Sequence, residues 1–273
     1  MNLHKGHFHL NKWFLDFIGN SGEAMIFYAA ELTWRNFKVP YTSYLYYDST
    51  EGISRKSRTR NIQMPEKRNN IIRWSDSKFE VEGTWKEITK PLQARLFESE
   101  EGFLDWNCFQ PASEVHLIKN DIMLEGKGYV EQLILTFPPW NIPMNELRWG
   151  RFGSAENQLV WIELRGDYDQ QWLWWNGIRI NNCTIDNHCI IIPEENSTLK
   201  LDQGIVLESE KKISTVVKSL LDYIPGFNKV IPTNFLMAQE FKWLSRCQLI
   251  TDGKRIATGM AIHEMVNFKS HNS

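Results

Sequence analysis

The sequence predicts a mainly β chain: two antiparallel, barrel-like sheet units, with one amphipathic helix in the second half. Three observations predict it. Alternation of apolar and polar residues with period 2 recurs along most of the 273 residues, the pattern of strands with one buried face. Turn residues separate these runs at hairpin spacing, among them Asn20, Ser21 and Gly22, then Asn176 and Gly177, then Asp252 and Gly253. A single segment, 209–226, carries a clear helical period.

In chain order, 12–18 and 24–34 form a long hairpin, and 39–47 continues it as the third strand of a meander. The segment 54–70 breaks the alternation. It carries Arg55, Lys56, Arg58, Arg60, Lys67 and Arg68 against Glu66 alone. Lacking interleaved aromatics, it is expected to be a solvated loop rather than a phosphate-binding surface. Short strands follow at 71–74, 79–85, 92–97, 103–109 and 115–118. A boundary near residue 125 divides the chain into units 1–125 and 126–273.

The second unit opens with a strand at 129–137, and Pro138, Pro139 and Pro143 then force an extended corner. Hairpins follow at 146–152 with 159–165, and at 171–175 with 178–180. In the helical segment Ile213, Val216, Val217, Leu220, Leu221 and Ile224 fall on one stripe. Ser209 is the expected N-cap, and Pro225 with Gly226 stops the helix. One apolar stripe suits a lid or plug lying on a sheet. A hairpin of 241–250 with 255–268 closes the chain. Trp13-x-x-x-Phe17 and Trp149-x-x-Phe152 are a weak internal echo, with no strict repeat period.

Composition narrows the function. The chain has 31 basic and 33 acidic side chains, a net charge of -2, so no global field draws in nucleic acid. No run approaches the about 20 apolar residues needed to span a bilayer, and the N-terminal stretch lacks the features of a signal peptide. The expectation is a soluble, cytoplasmic protein. Cys108, Cys183, Cys189 and Cys247 are irregularly spaced and read as free thiols, not a zinc site. The 12 tryptophans are far more than ordinary usage supplies. They are expected to wall a deep apolar cavity.

No phosphate-binding glycine loop, nucleophile elbow or zinc-binding helix motif occurs. Chemistry would then rest on isolated acids. Tyr129, Glu131, Leu133 and Leu135 share one strand face, and Leu159, Trp161 and Glu163 share another. A carboxyl in an apolar wall has its charged form disfavoured and can donate a proton. Glu131 and Glu163 are the candidate catalytic residues, with Tyr129, Trp149, Arg151, Trp161 and Trp174 as candidate substrate contacts. No metal or cofactor is called for. The alternative for each acid is an ion pair with Arg148, Arg151 or Arg165, and His263 is expected to be surface-exposed or hydrogen-bonded and structural.

Several segments resemble the hydroxyneurosporene synthase (carotenoid 1,2-hydratase) and AttH-like family, and more distantly lipocalin-like Diels-Alderases and tocopherol cyclase. They are KWFLDFIGNSGEAMIFYAAEL, GFLDWNCFQPASEVHL, GKGYVEQL, LRWGRFGSAENQLVWIEL and WLSRCQLITDGKRIATGMAIHEMV. The resemblance implies two calycin- or lipocalin-like β units with a ligand space. For the hydratase members it also implies cofactor-free water addition started by a carboxylic acid. Tyr129, Glu131, Trp149, Arg151, Trp161 and Glu163 fall in the corresponding motifs. The chain departs where Glu131, Gln132 and Leu133 follow the G-Y, and where Glu163 stands in place of Asp.

Two functions are therefore weighed. One is a cofactor-free enzyme that hydrates, cyclises or isomerises a hydrophobic polyene, isoprenoid or polyketide-like molecule. The other is a lipocalin-type carrier that binds an apolar ligand without chemistry. A third reading, an interaction protein with a vestigial pocket, needs neither.

Overall fold

The structure is a computed structural model and describes residues 8–212 and 229–268. The chain separates into two compact units, the first ending at Asn141 and the second beginning at Ile142. The strands of the first are β1 (Phe8–Gly19), β2 (Ala24–Trp34), β3 (Phe37–Asp48), β4 (Gly52–Arg58), β5 (Glu66–Arg68), β6 (Ile71–Asp76), β7 (Val81–Glu87), β8 (Leu92–Ser99), β9 (Gly102–Lys119) and β10 (Ile122–Leu135). The second has β11 (Met144–Gly153), β12 (Gln158–Gly166), β13 (Gln170–Trp175), β14 (Ile178–Ile180), β15 (Thr184–Ile185), β16 (Cys189–Ile192), β17 (Ser197–Leu201), β18 (Ile205–Lys212), β19 (Gln239–Thr251) and β20 (Lys254–Asn267). Each unit is one curled antiparallel sheet, a half-barrel.

The boundary expected at residue 125 falls inside β10. That strand pairs with β1 on one side and β9 on the other, so residues 126–141 belong to the first unit. The strands expected at 103–109 and 115–118 are one long strand, β9. The basic segment is also not a plain loop. Arg55, Lys56 and Arg58 lie on β4, paired to β3 at the sheet edge. Charged residues on an edge strand oppose pairing with a second chain. Arg58 is tied down by buried Asp76 at 2.7 Å. Of the expected helix, Ser209 lies in β18 rather than at an N-cap, and 213–226 lies outside the described residues.

The two sheets share one topology. The first runs β4-β3-β2-β1-β10-β9-β7-β6-β5 with β8 paired to β9. The second runs β14-β13-β12-β11-β20-β19-β17-β16-β15 with β18 paired to β19, the same order ten strands later. The first hairpin of each unit sets the correspondence. Phe17 lies opposite Met25 and Gly128, and Phe152 lies opposite Leu159 and Ala261. In this register Trp149 matches Phe14 and not Trp13, so the echo read from sequence holds at the phenylalanines only.

Inside the first half-barrel, Trp13, Leu15, Phe17, Phe27, Trp74 and Trp85 pack into one buried cluster. Trp85 donates from Nε1 to the Asp16 carbonyl at 2.7 Å, which satisfies its polar edge. Gly128 makes that possible, because a Cβ there would stand 2.4 Å from the same carbonyl and 2.9 Å from Trp85 Nε1. Tryptophans expected to line a cavity are here the packed core itself. The second half-barrel packs Phe152, Leu159, Trp161, Leu173, Ile190, Ile192 and Leu249 in the same way.

Candidate functional site

Glu131 sits on β10 opposite Phe14 of β1. Interior position 15 pairs with Val130, so Glu131 occupies the reverse face of the sheet. Between β9 and β10 the register shifts on both sides of Val130. This bulge brings Cys108 opposite Glu131 and Trp106 opposite Leu133. Bulges re-aim side chains in this way and concentrate near active sites.

The resulting cluster is polar at its centre and aromatic around it. Trp106 donates from Nε1 to Glu131 Oε2, and Tyr129 donates from its hydroxyl to the same oxygen at 2.5 Å. Phe14 packs edge-on to Tyr129 with ring centroids 6.0 Å apart, and to Tyr28 at 5.3 Å. Glu131, Tyr129, Trp106, Cys108 and Phe14 are all buried. Burial is the chief reason that the Tyr129 hydroxyl is held well above its ordinary pKa, with the neighbouring Cys108 and Glu131 adding to it. Burial likewise raises the Cys108 thiol. Both groups therefore stay protonated, and tyrosine remains a donor. The Trp106 and Tyr129 donors converge on one carboxyl oxygen, Oε2.

The second unit treats the other candidate acid differently. Glu163 on β12 faces the interior beside Trp161, opposite Arg148 of β11. Its Oε2 lies 2.8 Å from Arg165 Nη2 and 3.9 Å from Arg148 Nε. Glu146 completes a ring of charges, 2.7 Å from Arg148 Nε and 3.2 Å from Arg165 Nη1. Burial raises the Glu163 pKa, while Arg165 and Arg148 pull it down. The arginines make Glu163 a member of an ion-pair network. Glu131, by contrast, accepts from the neutral N–H of Trp106 and the neutral O–H of Tyr129.

The candidate residues are divided between the two sheets. Glu131 and Tyr129 belong to the first sheet. In the second sheet Trp161 and Glu163 face inward, whereas Trp149, Arg151 and Trp174 pair with Ile162, Val160 and Val160 on the reverse face. That reverse face also holds buried Lys242, 2.5 Å from Glu240 and 2.7 Å from Glu264. Arg179 lies over the Trp174 ring at 4.9 Å. His263 is buried and hydrogen-bonded to Ser245 Oγ at 2.9 Å.

Sequence reasoning missed Trp106 and Cys108. Their alternation on one strand was visible, but their partner strand lies some 25 residues away and past a bulge. Among the described residues no group of His, Cys, Asp and Glu is arranged to hold a metal ion. Nor is any helix there long and apolar enough to cross a membrane. All four cysteines are free thiols.

No protein-family profile and no curated protein sequence matches the chain. Solved structures do. An AttH-like protein from Nitrosomonas europaea aligns over 96% of this chain and 93% of its own, at 6% identity and a TM-score of 0.56. Kievitone hydratase from Nectria haematococca covers 96% and 89% of the two chains at 10% identity, with a TM-score of 0.55. CghA covers 97% and 90% at 8% identity, with a TM-score of 0.59. At such identities the likeness is one of fold: this chain has the lipocalin-like architecture of two β units.

Proposed function

We propose that this chain is a cofactor-free enzyme for a hydrophobic polyene, isoprenoid or polyketide-like molecule, and that Glu131 starts the reaction by protonating an alkene. The observation that carries this is the buried Glu131 carboxyl, held by Trp106 and Tyr129 through one oxygen. Proton transfer from the Glu131 carboxyl to one alkene carbon leaves a carbocation on the substrate and a carboxylate on Glu131. The two donors on Oε2 stabilise that carboxylate as it forms. The faces of Phe14, Tyr28 and Trp106 offer π density to the cation. Water then adds, or a second double bond closes a ring, and the proton released returns to Glu131. Isomerisation is the case in which a neighbouring C–H supplies the returning proton.

The sequence segments that resemble carotenoid 1,2-hydratase support this chemistry, as does the presence of a hydratase among the structures of the same fold. Free thiols suit the reducing cytoplasm.

The experiment is incubation with a panel of polyenes and terpenoid alkenes in deuterated water, with products analysed by mass spectrometry. The expected product carries one deuterium at the protonated carbon. Glu131→Gln should lower turnover by at least about 100-fold, the usual contribution of a general acid, while the circular dichroism spectrum is kept. Turnover undiminished in Glu131→Gln would reject the assignment. Tight binding with no product from any alkene would place the chain with the carriers.

A further inference from the structure

The shared topology lets the two interiors be compared position by position. Trp13, Ala29 and Val130 of the first unit match Arg148, Glu163 and His263 of the second. The first three lie in a packed apolar cluster. In the second unit all three equivalents are ionisable, and all are buried. Burying such groups costs several kcal/mol unless each polar atom finds a partner. Two buried atoms of these three residues lack a hydrogen-bond partner among the described residues, Arg148 Nη1 and Glu163 Oε2; the second is ion-paired to Arg165 at 2.8 Å, which leaves Arg148 Nη1.

Next to Arg148 the interior is flat and aromatic. His263 is its diagonal neighbour, because Gly150 lies opposite His263 on the adjoining strand. The Trp243 ring stacks on His263 with centroids 5.1 Å apart and on Phe241 at 6.1 Å, the latter pair tilted by only 11°. Glu146 and Glu163 already balance the charges of Arg148 and Arg165. No net positive charge is left for an anion; what remains is one directed N–H.

We infer that the interior of the second half-barrel is a ligand site of its own, for a flat conjugated molecule whose neutral carbonyl oxygen accepts from Arg148 Nη1 while its rings lie along Trp243 and His263. None of its residues takes part in the protonation assigned to Glu131. The site can therefore stand or fall separately from that chemistry.

Two probes of nearly equal shape test it: methyl 2-naphthyl ketone and 2-ethylnaphthalene, which lacks the acceptor oxygen. Affinities are measured by tryptophan fluorescence on the full chain. The wild type should bind the ketone roughly tenfold more tightly, as expected for a hydrogen bond from a charged donor. Arg148→Lys keeps a charge for Glu146 but removes the second N–H, and should abolish the preference. Equal affinities, no binding, or a preference that survives Arg148→Lys would overturn the site. If that variant does not fold, ketone labelled with 13C at the carbonyl decides on the wild type. A downfield shift on binding, with NOEs to the Met265 methyl opposite Arg148, supports the site. An unshifted signal or absent NOEs refutes it.

Discussion

Tyr129 and Glu131 lie two residues apart on the same face of β10, and the tyrosine hydroxyl donates to the carboxyl at 2.5 Å with both side chains buried. A polar pair in an apolar wall persists only while each group satisfies the other. Tyr129→Phe removes one of the two donors on Oε2 and leaves Trp106 as the other. The variant should lose about 1–3 kcal/mol of stability, read as a lower urea midpoint with an unchanged slope. In the proposed reaction it should also slow protonation without abolishing it, since Glu131 keeps its proton and one donor.

Gly150 is expected to be hard to replace because of the side chains around it. A Cβ there would stand 2.2 Å from Trp161 Cζ2 and 2.7 Å from His263 Cβ. The indole is locked in the core and cannot yield. Gly150→Ala should cost about 2–3 kcal/mol through overpacking and lower the melting temperature by several degrees. Gly177 is the control. It has a positive φ of 82° but open space around it, so Gly177→Ala should cost only about 1 kcal/mol of backbone strain. Equal losses at the two positions would show that the Trp161 contact is not what constrains Gly150.

These two sites also show how far the sequence could be followed. Alternation along GYVEQLILTF put Tyr129 and Glu131 on one face, and that is a local property of a strand. Trp149 and Trp161 were expected to share a space, yet Trp161 lies opposite Gly150, so the two rings point to opposite faces. Which face of a strand meets the core depends on its partner's register, and register is set across the hairpin. The Trp106–Glu131 bond depends on a bulge that no alternation reveals. The shared topology stayed hidden for a related reason. Matching positions such as Ala29 and Glu163 differ in chemistry while occupying the same place in it.

Thiol reactivity should divide the four cysteines. Cys108, Cys183 and Cys247 are buried, and Cys189 is half-buried on β16. Burial pushes the Cys183 thiol up to about 11 and raises Cys108 and Cys247 further. The thiolate is the reactive species. Titration of the native protein with a disulfide reagent at pH 8 should modify Cys189 first and the other three only on unfolding. Rapid labelling of Cys108 would show that the Glu131 cluster opens readily to solvent.

His263 should make the fold sensitive to acid. Its pKa is lowered from 6.5 to about 3, first by burial and then by the charge of His188. The neutral imidazole stacks on Trp243 and bonds to Ser245 Oγ. The unfolded chain takes up a proton at this residue below about pH 6.5, whereas the folded chain does not until about pH 3. Its contribution to stability is thus fully present above pH 6.5 and is lost as the pH falls through the window down to about 3. Each pH unit inside that window should remove about 1.4 kcal/mol. Urea midpoints measured from pH 7 to pH 4 should therefore fall more steeply for the wild type than for His263→Asn, which carries no titrating ring. Matching slopes would mean that the imidazole is protonated in the native state, and the buried ring stack would then have to accommodate a charge.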